Sequence, residues 1–205
     1  MISLFIDTSS SDVSIAIIKD NKPLSIISKN MPNQHSTYTT KCIHDALEEA
    51  KLNVEDIDKI MIVNGPGSFT GVRIGVTIAK VYAYLLNKDI ICLSSLKILA
   101  LAQKHDNILS LIDARHDNYY IGLYDKDNNE IIKEQFANKD FILKLIKEYN
   151  PICVSNKEFL IDDIEVRKVD LDIPRIVDYY KEKACENCHM VVPNYLKLPQ
   201  AMEKR

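Results

Sequence analysis

The sequence predicts an α/β fold of two related lobes, because one order of elements occurs twice: three strands, then a helix and a strand. A length of 205 residues is enough for two small hydrophobic cores. We therefore expect an N-terminal lobe at residues 1–104 and a smaller C-terminal lobe at residues 105–205.

In the first lobe, β-branched residues recur between turn-forming breaks at residues 9–12 and 20–21, which predicts an antiparallel meander. The next segment has apolar residues at helical spacing, among them Tyr38 and Cys42, and acidic residues on the opposite side. The predicted strands are 2–7, 12–19, 22–29, 59–63 and 90–93, and the predicted helices are 35–51, 69–86 and 95–104.

The second lobe starts again with β-rich segments, and residues 125–129 supply a turn between two of them. The predicted strands are 108–112, 119–124, 130–136 and 152–155, and the predicted helices are 139–149 and 174–183.

Composition indicates a globular cytoplasmic protein: 46% of the residues are hydrophobic and 27% are charged. The opening apolar run lacks the basic region of a signal peptide. The longest apolar stretch, residues 69–86, contains Arg73 and Lys80 and is predicted as a buried helix rather than a membrane span. Five scattered cysteines are expected as thiols. A net charge of −3 suggests that any RNA is held mostly by a partner.

Four of the five glycines lie between residues 65 and 75. The sequence Gly65-Pro66-Gly67-Ser68 follows a strand and opens a helix, so glycine can adopt positive φ there and Ser68 can cap the helix. Two interpretations stay open, a tight strand-to-helix turn and an anion site at a helix N-terminus. The segment lacks the lysine of a P-loop.

Small residues recur every four positions along the same helix, at Gly71, Gly75, Ala79 and Ala83. They form a flat ridge, and large apolar residues cover most of the remaining circumference. The ridge is expected to receive a helix of a partner, with a neighbouring helix of this chain as the alternative.

Other polar motifs carry weaker signals. The histidines never form a His-x-x-x-His pair, which disfavours a zinc enzyme. The Cys185-x-x-Cys188-His189 segment matches haem, redox and zinc patterns only in part, so a solvated helix end is expected there. The residues Asp7, Thr8 and Ser9 could meet a phosphate and its magnesium, or form an Asx or Ser turn.

Taken with these motifs, the chain resembles the TsaB (YeaZ) family, whose members belong to the bacterial machinery for threonylcarbamoyladenosine in tRNA. The resemblance spans most of the chain and is most specific in the glycine motif, residues 65–75. Its carriers are Ile6-Asp7-Thr8, Gln34-His35-Ser36, the glycine motif, Ile112-Asp113-Ala114-Arg115 and Pro193-Asn194-Tyr195-Leu196-Lys197.

The resemblance implies an actin-like and Hsp70-like (ASKHA) fold, with a mixed sheet and helices in each lobe. Family members look like degenerate paralogues of the catalytic subunit TsaD, which holds a metal through a His-x-x-x-His motif. The corresponding stretch here, residues 95–99, has no histidine. There is also no glycine before Gly65 or after Gly122, so the nucleotide site at Asp7, Thr8 and Ser9 is expected to be vestigial and ATP to bind weakly at most.

The resemblance implies a non-catalytic partner subunit with no catalytic or metal-binding residue of its own. Its expected partners are a TsaD-like enzyme and a TsaE-like ATPase, which would carry the metal and ATP, with tRNA reached through the complex and self-dimerisation possible. An independent ATP-dependent or metal-dependent enzyme, such as a peptidase, is the alternative. The residues expected to bind the partner are Tyr38, Cys42, Gly71, Arg73, Gly75, Ala79, Tyr82 and Ala83.

Overall fold

The structure is a computed structural model that describes residues 1–32 and 34–197, and these form two compact units. Within the described residues, the first unit comprises Met1–Ser95 and Asp172–Pro193, and the second comprises Leu96–Leu171 and residues 194–197. The sequence analysis placed the boundary after residue 104 and assigned residues 172–193 to the C-terminal lobe. By packing, those residues belong to the first unit instead, because the apolar side chains of their helix are buried there.

The first unit contains a mixed sheet of five strands. They are β1 (Ile2–Asp7), β2 (Asp12–Lys19), β3 (Lys22–Asn30), β4 (Lys59–Gly65) and β5 (Asp89–Ser94). Their order across the sheet is β3-β2-β1-β4-β5. The first three strands form the predicted antiparallel meander, and β4 and β5 extend the sheet in parallel from β1.

Two helices cover one face of this sheet, α1 (His35–Ala50) and α2 (Phe69–Leu86). Each ends at a residue in the left-handed conformation, Lys51 and Asn87, whose amide donates back to carbonyl groups of the last turn. The shared core contains Leu4 and Ile6 of β1. Since side chains alternate along a strand, Ser3 and Phe5 face the other side of the sheet.

By length and composition α2 could cross a membrane, with a mean hydropathy of 1.2. One side of the helix is buried against the first sheet, however, with Val72, Val76 and Ala79 inside the core. We therefore assign α2 to the core of the first unit, as the sequence predicted.

The second unit contains a mixed sheet of six strands. They are β6 (Asn107–Asp113), β7 (Asn118–Asp125), β8 (Glu130–Asn138), β9 (Ile152–Ser155), β10 (Phe159–Ile161) and β11 (Ile164–Lys168). Their order is β10-β11-β9-β6-β7-β8. The strands β6 to β8 form a second antiparallel meander, and β9 lies parallel to β6.

The described residues also form three shorter α-helices, α3 (Ser95–Leu101), α4 (Lys139–Tyr149) and α5 (Ile173–Tyr180), and a single 3₁₀ turn at Val54–Asp56. Asn138 caps α4, because its Oδ1 accepts a hydrogen bond from the Phe141 amide at 3.0 Å. Asp172 caps α5 in the same way through the Arg175 amide. α5 packs against β1 and β2, so the chain returns to the first unit at this helix.

The predicted repeat is confirmed. In each unit a three-stranded meander is followed by a helix and then by a strand that lies parallel to the first strand of the meander. The units differ after that point. The first continues with α2 and β5, whereas the second continues with the β10–β11 hairpin, which the sequence analysis missed.

Candidate functional site

The candidate functional site is the junction between the β4–α2 loop, residues 65–68, and the β1–β2 turn, residues 8–11. Gly65 has a φ of 112°, a conformation that strongly favours glycine. The Ser68 Oγ accepts a hydrogen bond from the Gly71 amide at 3.2 Å and so caps α2. The Ser68 amide donates to the Ser9 carbonyl oxygen at 2.7 Å, which joins loop and turn. The predicted capped strand-to-helix turn is confirmed.

Gly67 is needed for close approach rather than for positive φ. A Cβ atom added at residue 67 would lie 2.3 Å from the Ser9 carbonyl oxygen, far inside van der Waals contact. On its other side the loop is held by the Ser95 hydroxyl, which donates to the Pro66 carbonyl oxygen. These internal contacts favour the tight-turn interpretation of the loop over the anion-binding one.

The ridge of small residues on α2 packs inside the first unit. Ala79 and Ala83 are buried. Cβ atoms added at Gly71 and Gly75 would lie 2.1 Å from the Thr8 carbonyl oxygen and 2.2 Å from the Thr8 Oγ1. The Thr8 hydroxyl donates to the Gly71 carbonyl oxygen at 2.8 Å. The prediction that this ridge receives a partner's helix is therefore wrong: the β1–β2 turn fills the space beside its two glycines, and its two alanines lie in the core that α1 and α2 share with the sheet.

Asp7 ends β1 with a buried carboxyl group. Burial raises its pKa above the ordinary value, and a hydrogen bond from the Ser9 amide to Oδ1, at 2.8 Å, offsets part of this effect. The same hydrogen bond closes an Asx turn, the structural alternative for this motif. The Thr8 hydroxyl and the Ser9 carbonyl are also engaged within the unit. A vestigial nucleotide site at Asp7, Thr8 and Ser9 stays a prediction.

The remaining residues predicted to bind a partner lie on α1 and α2; they are Tyr38, Cys42, Arg73 and Tyr82. Cys42 is not available to a partner, because its side chain lies in the core between α1 and the sheet. Tyr38 and Tyr82 are partly buried and pack on the edge of the same core. Arg73 is exposed, with its guanidinium 4.8 Å from the centroid of the Phe69 ring.

The sequence analysis placed large apolar residues over most of the circumference of α2, and the structure shows which of its apolar side chains are exposed. They are Phe69 at 43% exposed, Val81 at 48%, Tyr84 at 63% and Leu85 at 73%. We call these four residues the outer face of α2. In the sequence, these residues could be recognised by their positions away from the small-residue ridge. Residues on opposite sides of a helix cannot pack against the same element.

One flank of α2 is covered by the segment that contains Cys185 and Cys188. Glu186 forms an antiparallel bridge with Ile90 of β5, and the Lys80 ammonium donates to the Val191 carbonyl oxygen at 2.9 Å. Both cysteines are free thiols. The segment is irregular rather than the predicted helix end. It acts as an edge cover for the first sheet.

Residues 95–99, which correspond by resemblance to the metal-binding stretch of TsaD, have structural roles here. Ser95 holds the glycine loop, while Leu96 and Leu99 are buried in a core cluster of the second unit. Within residues 1–32 and 34–197, no three His, Cys, Asp or Glu side chains are grouped so that they could hold a metal ion.

Two mixed sheets with one repeated order of elements define an actin-like fold. A solved structure of YeaZ from Pseudomonas aeruginosa has the same fold, with a TM-score of 0.78 over 95% of this chain and 99% of that one, at 21% identity. The family model described as TsaD, tRNA N6-adenosine threonylcarbamoyltransferase, matches residues 25–178.

Sequence relatives are more specific. The chain is 31% identical to the tRNA threonylcarbamoyladenosine biosynthesis protein TsaB of Bacillus subtilis, over 100% of this chain and 97% of that protein. It is also 34% identical to a tRNA N6-adenosine threonylcarbamoyltransferase of Malacoplasma penetrans, over 43% of this chain and 34% of that enzyme. The chain belongs to the TsaB family.

Proposed function

We propose that this chain is a non-catalytic subunit in the formation of threonylcarbamoyladenosine in tRNA. It would pair with a TsaD-like threonylcarbamoyltransferase through the outer sides of α1 and α2 and support transfer of the threonylcarbamoyl group by that enzyme.

The observation that carries the proposal is the outer face of α2. Phe69, Val81, Tyr84 and Leu85 are all at least 43% exposed on one helix of 18 residues. Scattered single apolar residues are normal on a protein surface, whereas a contiguous exposed patch marks an interaction site. Val81, Tyr84 and Leu85 are neighbours on the last turns of α2 and form such a patch, and Phe69 is exposed at the other end of the helix. Aromatic side chains and arginine are the residue types that dominate interface energies, and this surface offers Phe69, Tyr84 and Arg73.

The choice of a TsaD-like partner rests on kinship. The TsaD family model matches this chain over residues 25–178, which include α1 and α2. Two chains of one fold can pair through equivalent surfaces around an approximate two-fold axis, as identical subunits do in an isologous dimer. The same surface could therefore also support a dimer of this chain with itself.

We assign the chemistry to the partners. The TsaD-like enzyme would supply the catalytic metal, a TsaE-like ATPase would hydrolyse ATP, and tRNA would be bound by the assembled complex in the cytoplasm. In this chain the Asp7, Thr8 and Ser9 region is engaged by contacts within its own unit. This engagement supports a scaffold role over that of an independent ATP-dependent or metal-dependent enzyme.

The test is titration of the chain with the TsaD-like subunit of the same organism, using Leu85→Ser and a matched control, Leu160→Ser. Leu85 is 73% exposed on α2, and Leu160 is 66% exposed on β10 of the second unit. Loss of a central apolar contact at an interface costs about 1–2 kcal/mol, which is roughly five- to thirtyfold in affinity. We expect that loss for Leu85→Ser only. Tyr82→Ala should weaken binding in the same direction.

Three further measurements complete the test. Sedimentation of each variant alone reports whether a self-dimer competes for the surface. Metal analysis and a nucleotide titration of the chain alone address the enzyme alternative: stoichiometric metal or micromolar ATP binding would favour it. Equal affinities of the two leucine variants, with both folded, would contradict the assignment of the outer face of α2 to the partner.

A further inference from the structure

Residues 186–192 run along the edge of the first sheet and one flank of α2, and we call them the strap. At its start, Glu186 forms an antiparallel bridge with β5. Near its end, Val191 is 1% exposed and packs in the core that α1 and α2 share with the sheet. The Asn64 side-chain amide donates to the Val192 carbonyl oxygen at 3.1 Å. The strap is therefore fixed to the first unit at both ends.

The strap presents two exposed apolar side chains beside the outer face of α2. Met190 is 73% exposed and Val192 is 63% exposed, on either side of the buried Val191. The His189 ring lies edge-on against the Tyr84 ring, with the two centroids 5.2 Å apart. Because this contact joins the strap to the outer face of α2, the exposed apolar residues of the two elements adjoin.

Lys80 lies at the seam between α2 and the strap. Its ammonium donates to the carbonyl oxygens of His189, at 3.2 Å, and Val191, at 2.9 Å. An ammonium has three N–H groups, so one is left for another acceptor. Within the described residues neither Lys80 nor Arg73, which lies seven positions earlier on the same side of α2, is in an ion pair. Since α2 contains no acidic residue, both cations lack a counter-ion at ion-pair distance.

The exposed side chains at this seam specify the chemistry of an occupant. Apolar side chains favour an apolar surface, and cations without counter-ions favour carboxylates on it. A second copy of the chain would add two further cations from its own α2 to the same interface, and no acid from that helix. The surface therefore fits a different protein better than it fits another copy of this chain.

We propose that the strap and the outer face of α2 together bind the TsaD-like partner, through an apolar segment that carries carboxylates opposite Lys80 and Arg73. In the complex, Met190 and Val192 pack on apolar side chains of the partner, and the remaining N–H of Lys80 donates to a carboxylate. Lys80 is also a positioning residue, because its two hydrogen bonds hold the strap against α2. We take the partner from the proposed function, on which this assignment therefore rests.

The apolar part is tested by titrating the TsaD-like subunit of the same organism with the full chain and its Met190→Ser variant. We expect a loss of about five- to thirtyfold in affinity, as for a central apolar contact at an interface. Leu160→Ser is the matched control, because Leu160 is 66% exposed but lies in the second unit. Both variants should unfold at the same urea concentration as the unmodified chain, since both residues are exposed.

The charged part is tested by the dependence of affinity on salt. Lys80→Met and Arg73→Met should each weaken binding about two- to tenfold at low salt, and added salt should reduce the difference. Lys133→Met is the control, because Lys133 is exposed on β8 and its replacement changes the net charge equally. Lys80→Met also removes the hydrogen bonds of the strap, whereas Arg73→Met leaves them in place. Lys80→Arg keeps the charge and the donors and should retain most of the affinity.

Leu85→Ser separates failure of this assignment from failure of the proposed function. If Leu85→Ser weakens binding while Met190→Ser binds as tightly as the Leu160 control, the partner uses α2 without the strap, and the assignment is overturned. If Lys80→Met and Arg73→Met lose no more affinity than Lys133→Met, no carboxylate faces the seam. Loss of self-association in sedimentation of Met190→Ser, with unchanged affinity for the TsaD-like subunit, would assign the surface to a second copy instead. If neither Leu85→Ser nor Met190→Ser weakens binding, the proposed function fails as well.

Discussion

The close approach of α2 to the β1–β2 turn can be tested by adding one carbon atom at a time. Gly71→Ala would place its Cβ 2.1 Å from the Thr8 carbonyl oxygen, a backbone atom. Gly75→Ala would place its Cβ 2.2 Å from the Thr8 Oγ1, a side-chain atom that mutation can remove. We therefore predict that Thr8→Ala rescues Gly75→Ala but does not rescue Gly71→Ala.

The magnitudes follow from two opposed effects. Replacing glycine by alanine inside a helix stabilises it by about 1 kcal/mol, whereas overpacking a core costs about 1–3 kcal/mol. For Gly75→Ala we expect a net loss of about 1 kcal/mol. For Gly71→Ala, in the first turn of α2 and against backbone, we expect about 2 kcal/mol or more. Thr8→Ala alone should cost about 1 kcal/mol, because it removes the hydrogen bond to the Gly71 carbonyl.

Urea unfolding of the three single and two double variants measures both couplings. We expect a favourable coupling of about 1 kcal/mol or more between Thr8→Ala and Gly75→Ala, and near-additivity, within about 0.5 kcal/mol, for Thr8→Ala with Gly71→Ala. If Gly75→Ala alone is as stable as the unmodified chain, or if both double variants are additive, the Thr8 contact does not limit this position. The ridge would then be open to another neighbour.

Three further predictions concern the same junction. Gly65→Val and Gly67→Val should each lower the free energy of unfolding by about 1–3 kcal/mol. The Gly65 variant strains the backbone at a φ of 112°, and the Gly67 variant overlaps with Ser9. Urea unfolding equal to that of the unmodified chain would contradict this prediction. Asp7→Ala should leave most tRNA-modification activity of a reconstituted complex, and near-total loss with normal folding and partner binding would refute a vestigial site. Burial raises the pKa of the Asp7 carboxyl group above its ordinary value of 3.8, so between these two pKa values the folded chain binds more protons than the unfolded chain. The free energy of unfolding therefore falls as the pH rises from 3.8 to the pKa of Asp7 in the folded chain. Asp7→Asn should remove that loss, and unfolding curves with the same pH dependence as the unmodified chain would show that the Asp7 carboxyl is not responsible for it.

Much of the fold could be predicted from the sequence because its signals are local. Alternating β-branched residues and turn breaks gave the bounds of β1 and β2, and helical spacing gave α1 to within one residue. The β10–β11 hairpin escaped because its strands have only three and five residues, too short for a period to show. The return of α5 to the first unit escaped because hydrophobic spacing predicts a buried face but does not specify which sheet buries it.

The site could be predicted only in part for a related reason. The spacing of Gly71 and Gly75 correctly indicated a close approach to this side of α2, which the Thr8 carbonyl makes at Gly71 and the Thr8 hydroxyl makes at Gly75. The identity of that neighbour depends on the tertiary placement of Thr8, which is more than sixty residues away in sequence. Cys42 was misassigned in the same way, because a residue at a helical apolar position can face either the core or a partner.

The internal use of the ridge changes what the glycine motif can contribute to association. Because its two helical glycines contact Thr8, the motif sets the distance and rotation of α2 relative to the sheet rather than supplying a contact surface. The rotation in turn decides which residues face outward, and it leaves Tyr84 and Leu85 exposed. A substitution at Gly75 should therefore weaken partner binding only by displacing α2, in proportion to its loss of stability, and Thr8→Ala should restore both together. Leu85→Ser should lower affinity while the free energy of unfolding stays within about 0.5 kcal/mol of the unmodified chain, as for other surface substitutions. If a Gly75 variant of normal stability failed to bind the partner, the ridge would have to be part of the interface after all.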